Sequence, residues 1–364
     1  MLYVEDWERV RARHLAWWSG EIVDRMAIGV TAPRAGAEPF RVPPDVDLVR
    51  FWTDTDYVIE CAERQFASTY FAGDQFPSHL PFLGPIVQAA FLGCDLVLDN
   101  TRTGWLKPLA LGADALPPLR YDPDNRWWRL MQDLTRTAVA AGRGRFLVGL
   151  TDLCSPGDDL AALVGAEAAL AMFADRPDRV DRILAAMCNL WKRYLDELHA
   201  ILVAGGQQGS CGTFTLYSPG RSCTLQSDMS CMISPAMFDR HIAPILDRQA
   251  RHLDHAIYHV DGPGAIRHVP SVAAVASIDA LNWIPGAGQG PMRRWAGLIR
   301  EMQDRGKPVQ CSATPEDVEP ILEVASPRGL FLHVRCESEA EADQLVGRLD
   351  RWTAKYDKPF GSGR

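Results

Sequence analysis

The segment Tyr258-His259-Val260-Asp261-Gly262 carries an imidazole and a carboxylate two positions apart at the end of a short apolar run. In an extended strand alternate residues share a face, so both side chains point the same way. Such a pair can clamp a polar substrate, move a proton or supply two donors to a metal. Other reactive types also end short apolar runs: Arg34, Asp152, Asn282 with Trp283, and Arg335 with Cys336. Asp228 lies in a polar stretch between two such runs. Asp152, Asp228 and His259 are candidate acid–base or substrate-orienting groups. Arg34 and Arg335 suit a substrate carboxylate, with Asn282 and Trp283 completing the substrate contacts. His259, Asp261 and Cys336 offer one nitrogen, one oxygen and one sulfur donor, which meets the three-ligand, one-open-position rule of a catalytic zinc site.

Plainer readings stand beside these. A His-x-Asp pair at a strand end also serves as a metal-free substrate clamp. Cys336 can be a small core residue, and Asp152 can close an Asx-turn. His252 and His255 suit a helix end, where the dipole favours a cation.

The elements that must position these groups alternate. An amphipathic helix is expected over 5–25, a strand over 26–30, and a Pro- and Gly-rich loop over 35–48. Residues 35–128 read as an insertion or cap within a single domain spanning 1–364. From residue 125 the rhythm is regular, with strands expected at 145–150, 207–214, 256–260, 280–284, 308–311 and 330–334 and helices between them. Short apolar strands alternating with helices call for a parallel sheet. About eight strands can be counted, which favours an α/β fold of the (β/α)8 TIM barrel type with an N-terminal helical and loop elaboration. Reactive groups then belong at the C-terminal ends of the strands.

Bulk properties narrow the function. Hydrophobic residues make up 47% and charged residues 23% of 364, enough for a large core. A net charge of −8 disfavours a nucleic-acid partner. No apolar run is long enough for a membrane span, and the first residues lack the apolar stretch of a signal peptide, so a cytoplasmic location is expected. The nine cysteines include no Cys-x-x-Cys pair, so a disulfide framework is not expected. Neither a Walker loop, a Gly-x-Gly-x-x-Gly fingerprint nor a Gly-x-Ser-x-Gly elbow is present.

Several segments together resemble the uroporphyrinogen decarboxylase superfamily. They are Ser227-Asp228-Met229-Ser230-Cys231-Met232-Ile233-Ser234-Pro235-Ala236-Met237-Phe238, then Ile242-Ala243-Pro244-Ile245-Leu246, then His259-Val260-Asp261-Gly262 and Ala313-Thr314-Pro315-Glu316-Asp317-Val318. Thr151-Asp152 and Arg176-Pro177-Asp178-Arg179-Val180 add to the match, which covers roughly 145–354. That superfamily includes zinc-dependent methyltransferases that act with corrinoid proteins. The arginine-rich signature of the true decarboxylases is absent from Asp24-Arg25-Met26-Ala27-Ile28-Gly29-Val30. The resemblance to the methyltransferases implies Zn2+ held by His259, by Asp261 in place of the usual cysteine, and by Cys336. A carboxylate in that place makes the metal harder and suits an oxygen or nitrogen substrate.

The expected activity is a zinc-dependent methyl transfer on a small methylated substrate, with a corrinoid carried by a separate protein. The rival is a metal-free decarboxylase or lyase acting on a small carboxylated substrate at the same barrel end. A third reading is a non-catalytic barrel that binds a small molecule or a corrinoid partner, since fold alone never settles function. No membrane partner is expected, and a homodimer is admissible.

Overall fold

A computed structural model describes residues 1–109, 116 and 118–361. Its centre is a parallel sheet. In spatial order the parallel strands are Ile28–Pro33, Leu330–Arg335, Val309–Ala313, Ala280–Ile284, His255–Asp261 and Ser222–Leu225. Strand Thr69–Gly73 pairs antiparallel on the outer edge of Ile28–Pro33. A further parallel pair joins Ser78–His79 to Leu147–Val148. The chain is thus an α/β protein with a parallel central sheet.

The chain flanking that pair, before Ser78 and after Val148, makes two main-chain bonds. Asp74 N donates to Ile28 O at 2.6 Å on one side, and Leu150 N donates to Cys211 O at 3.1 Å on the other. Cys211 belongs to a small antiparallel pair, Ser210–Cys211 with Tyr217–Ser218. The strand expected over 207–214 is therefore a hairpin arm. The parallel strand of this part of the chain is Ser222–Leu225. Gly209, at a φ of +82°, turns the chain out of line just before the arm, a backbone state suited to glycine.

The helices begin where the sequence places capping groups. Asp6 accepts from Arg9 N at 3.0 Å and starts Trp7–Trp18. Asn125 accepts from Trp127 N and Trp128 N and starts Arg126–Gly142. Each satisfies main-chain donors that a helix start leaves unpaired. The expected first helix over 5–25 stops at Trp18 because Gly20 takes a φ of +70°. A side chain at that position would run into Phe360. The helix expected over 235–254 contains a wider π turn at Phe238–Ile242, just before Pro244. Proline has no N–H for the regular ladder. Among the described residues no helix is long and apolar enough to cross a membrane.

The sheet has two different faces. On one, here the inner face, Ala27, Ile257, Ala280 and Phe331 pack against Trp17 and Trp18 of the first helix. On the other, the outer face, Val30, Tyr258, Val260, Leu281, Trp283 and Val334 enter the large helix-covered core. Alternation along each strand separates the two sets.

One buried ion group joins the first strand to the chain that follows it. The Asp74 carboxylate, fully buried, lies 2.8 Å from Arg25 and 3.0 Å from Arg13 and accepts from Ile28 N at 2.9 Å. Removing one member of a buried pair leaves charge without compensation, a cost of about 3–5 kcal/mol. Asp74→Ala is expected to lose that much in urea-induced unfolding. A loss below about 1 kcal/mol would mean the ion group does not hold the strand.

Candidate active site at the strand ends

His259 and Asp261 stand on the inner face of strand His255–Asp261, in register with Asn282 and Ile284 of the neighbouring strand. His259 is half-buried, and its Nδ1 is in short hydrogen-bond contact with Asn282 Oδ1. The ring also lies 5.6 Å from that of Phe214. With Nδ1 engaged, Nε2 is the ring nitrogen left for chemistry.

Asp228 faces the same space. It opens the short turn Asp228–Met232, whose first two N–H groups are capped by the buried Asp158 carboxylate, at 3.0 Å from Asp228 N and 2.9 Å from Met229 N. The Asp228 side chain reaches solvent yet is hemmed in by protein atoms. That crowding raises its pKa, with His259 pulling it down and Asp261 pushing it up. Those two opposed influences place Asp228, His259 and Asp261 in one electrostatic group.

Behind this group lies a set of buried acids that the sequence reading missed, apart from Asp152. Burial pushes Asp152 up to about 6; the Cys154 N–H, 2.9 Å away, opposes the shift and the Asp228 charge adds to it. Asp158 is raised by burial and then by Asp228. Cys154 holds a φ of +55°, unusual for a residue with a side chain. Its thiol donates to Asp158 Oδ2 at 3.2 Å, and Gln226 Nε2 lies 3.3 Å from its sulfur. The Tyr258 phenol, on the outer face, bonds to Ser230, and burial raises its pKa. Residue types gave no hint of this cluster, because Asp158 and Asp159 look like ordinary first-turn acids of helix Pro156–Val164.

The other expected site residues scatter. Arg335 is exposed at the end of its strand and lines a cavity of about 530 Å3 with Thr31, Arg41, Gln65 and Thr69. Arg34 does not join it: its guanidinium donates to Thr69 O at 2.8 Å and stacks 4.5 Å above the Tyr3 ring. Trp283 is fully buried on the outer face, 5.0 Å from Trp295, and so is a core residue with no route to a substrate. Its neighbour Asn282 takes the inner position that alternation leaves.

Cys336 is likewise turned away. It follows Arg335, so it falls on the outer side and packs into the helix-covered core. Burial pushes its thiol up to about 11, with Glu341, Glu316 and Glu337 adding to the shift. A zinc ion needs three donors about one point. Among the described residues no three His, Cys, Asp or Glu side chains are gathered in that way. The expected set of His259, Asp261 and Cys336 therefore does not fit the metal. Register is the physical reason, since one position along a strand reverses the face.

Comparison with known proteins adds the fold. No family model and no curated protein sequence matches the chain. A methyltransferase from Methanosarcina mazei is similar over 94% of this chain and 98% of its own, at 14% identity and a TM-score of 0.58. The likeness shows that the two chains share a fold. A B12-independent methionine synthase from a Shewanella species, in complex with selenomethionine, is similar over 92% and 97% at 11% identity; its TM-score of 0.43 is too low to add to this.

The raised pKa of Asp152 gives a testable pH dependence. Its folded value of about 6 lies above the ordinary 3.8, so the folded state holds the proton more tightly. This stabilisation is fully present below about pH 4, falls as pH rises towards 6, and is gone above. Asp152→Asn is expected to remove that slope, so the variant gains on the wild type between about pH 4 and 6 and the difference then levels off. Urea unfolding of both proteins across that range measures it. Parallel curves would show that Asp152 titrates alike in both states.

Proposed function

We propose that the chain is a methyltransferase-like enzyme acting on a small molecule, with its active site at the C-terminal ends of eight parallel strands that close into a (β/α)8 barrel. The similarity to a methyltransferase fold supports the barrel. The observation that carries the reading is His259, whose Nδ1 is engaged by Asn282 and which shares an electrostatic group with Asp228 and Asp261. A base in that place can take the proton of an acceptor N–H, O–H or S–H while its heteroatom attacks a methyl group. The methyl carbon gains a bond to the acceptor, the donor leaves with the old bonding pair, and His259 holds the proton. Asp228 and Asp261 then favour the imidazolium that forms. A corrinoid protein is the partner that would carry the methyl group, and no zinc enters this scheme because the donors do not gather.

A second reading is a carboxy-lyase, and one observation favours it. Arg335 and Arg41 line the same cavity, and among the described residues neither has an ion pair or side-chain hydrogen bond. Unpaired guanidinium groups suit a carboxylate.

One experiment separates the two. The protein is incubated with methylcobalamin and a panel of small thiols, amines and alcohols, and loss of the methyl–cobalt absorbance is followed. Methyl transfer predicts acceptor-dependent demethylation that His259→Ala slows by about 10²–10⁴-fold. Demethylation that is independent of acceptor, or equal in His259→Ala, overturns the reading. Carbon dioxide release from small carboxylates, lost in Arg335→Ala, would establish the lyase in its place. Zinc analysis completes the test: Cys336→Ala is expected to leave the zinc content of the protein unchanged.

A further inference from the structure

The imidazole of His259 is one end of a buried row. His259, Asn282, Gln310 and His333 stand on neighbouring strands of the inner face. Asn282 and Gln310 are 1% exposed, so neither amide can turn to water for its bonds. His259 Nδ1 meets Asn282 Oδ1, and Asn282 Nδ2 faces Gln310 Oε1. Gln310 Nε2 lies 3.0 Å from His333 Nδ1.

An amide end can be reversed without changing its shape. Such a row therefore has two polarities, one with every N–H pointing from His259 towards His333 and one with every N–H pointing back. The second neighbour of Asn282 decides between them. The same terminal atom of Asn282 that meets Gln310 Oε1 also lies 3.3 Å from the Gln310 main-chain carbonyl. A carbonyl only accepts. The Asn282 atom facing it is therefore the NH2, and Asn282 Oδ1 faces His259, which must bring an N–H on Nδ1. Gln310 then accepts from Asn282 through Oε1 and presents its own NH2 to His333, whose Nδ1 must be bare.

We propose that Gln310 and His333 are positioning residues that, through Asn282, hold His259 as its Nδ1–H tautomer and keep the Nε2 lone pair at the strand ends. This rests on the reading of His259 as the reactive base. The far end of the row agrees with it. Burial drives His333 down to about 3, so its ring is neutral and carries its one proton on Nε2. That nitrogen and Gln75 Oε1 are both buried and otherwise unpartnered. They converge on the space beside Gly29, where an added Cβ would lie 3.1 Å from the first and 2.3 Å from the second. Glycine keeps that space open.

The test reads the tautomer directly. The protein is labelled with 15N-histidine, His259 is assigned by comparison with His259→Ala, and spectra are taken at about pH 8.5, above the ordinary histidine value. The wild type is expected to show a pyrrole-like Nδ1 and a pyridine-like Nε2 at His259. Gln310→Glu, which can only accept, should leave His259 unchanged and move the His333 proton to Nδ1. Asn282→Leu should release His259 to the Nε2–H form. A wild-type His259 protonated on Nε2 overturns the proposal, as does an unmoved His333 in Gln310→Glu. The wild-type and Gln310→Glu spectra decide the matter even where Asn282→Leu does not fold. Where both proposals hold, Gln310→Leu and Asn282→Leu lower kcat by about 10-fold or more with KM changed less than about 2-fold. The expected tautomer without any methyl transfer leaves the row standing and removes the reaction.

Discussion

Side-chain alternation along the parallel strands decides which residues of this protein can do chemistry. The inner face of His255–Asp261 carries Ile257, His259 and Asp261, and the outer face carries Tyr258 and Val260. On the next strand Asn282 is inner and Trp283 outer. On the last strand Phe331, His333 and Arg335 share the inner side, and Cys336 continues into the outer core. Each outer residue is sealed under helices, where apolar burial contributes about 1.5–3 kcal/mol for a large side chain. Turning one outward residue in would turn its neighbours out, so single positions cannot be exchanged between core and site.

The inner face is polar where it approaches the strand ends, and this costs stability. Deep on the inner face, Ala27, Ile257, Ala280 and Phe331 pack on tryptophans. One step along, Gly29, His259, Asn282, Gln310 and His333 replace them, and polar groups buried there need partners. The row of amides and imidazoles supplies those partners to one another. The acids behind Asp228 are another case. Asp152, Asp158 and Asp159 are buried close together, all with raised pKa values. Part of that cost is offset locally: Asp158 caps the turn that presents Asp228, and Asp159 accepts from Gln88 at 2.9 Å. Groups kept at such a cost gather at functional sites more often than elsewhere.

Much of this is legible in residue order, and what is not has identifiable physical causes. The expected strands over 256–260, 280–284, 308–311 and 330–334 all appear, shifted by a residue or so at their ends. Period-two reasoning placed His259 and Asp261 together, because both lie on one strand. Which residues of different strands meet depends on register, which the pattern of one strand does not carry. Cys336 and Trp283 looked like site residues because they end strands, and both fall on the wrong face. Gln310 and His333 look like ordinary strand residues, and nothing in one chain's sequence says that they continue a row from Asn282. The hairpin around 210–218 was misread because its short apolar stretch resembles a strand, whereas Ser222–Leu225 is rich in small polar residues. The buried acids escaped notice for the same reason in reverse, since a helix's first turn normally shows its acids to water.

The departures at the histidine segment point in one chemical direction. The carboxylate at position 261 is a harder donor than a thiolate would be. The only sulfur at the end of the last strand is sealed in the core with its proton held tightly. His259 is backed by the amide oxygen of Asn282, itself tied into a neutral row, and such a backing serves a base and a metal ligand alike because it leaves Nε2 its lone pair. Asp228 and Asp261 belong to the same electrostatic group as the ring. On the proposed reading, a strand end that offers an imidazole and two carboxylates, with the sulfur shut away, suits proton transfer better than it suits a metal that prefers thiolates. The strand ends are fixed by the core beneath them, so a few side chains decide what chemistry that end of the fold can do.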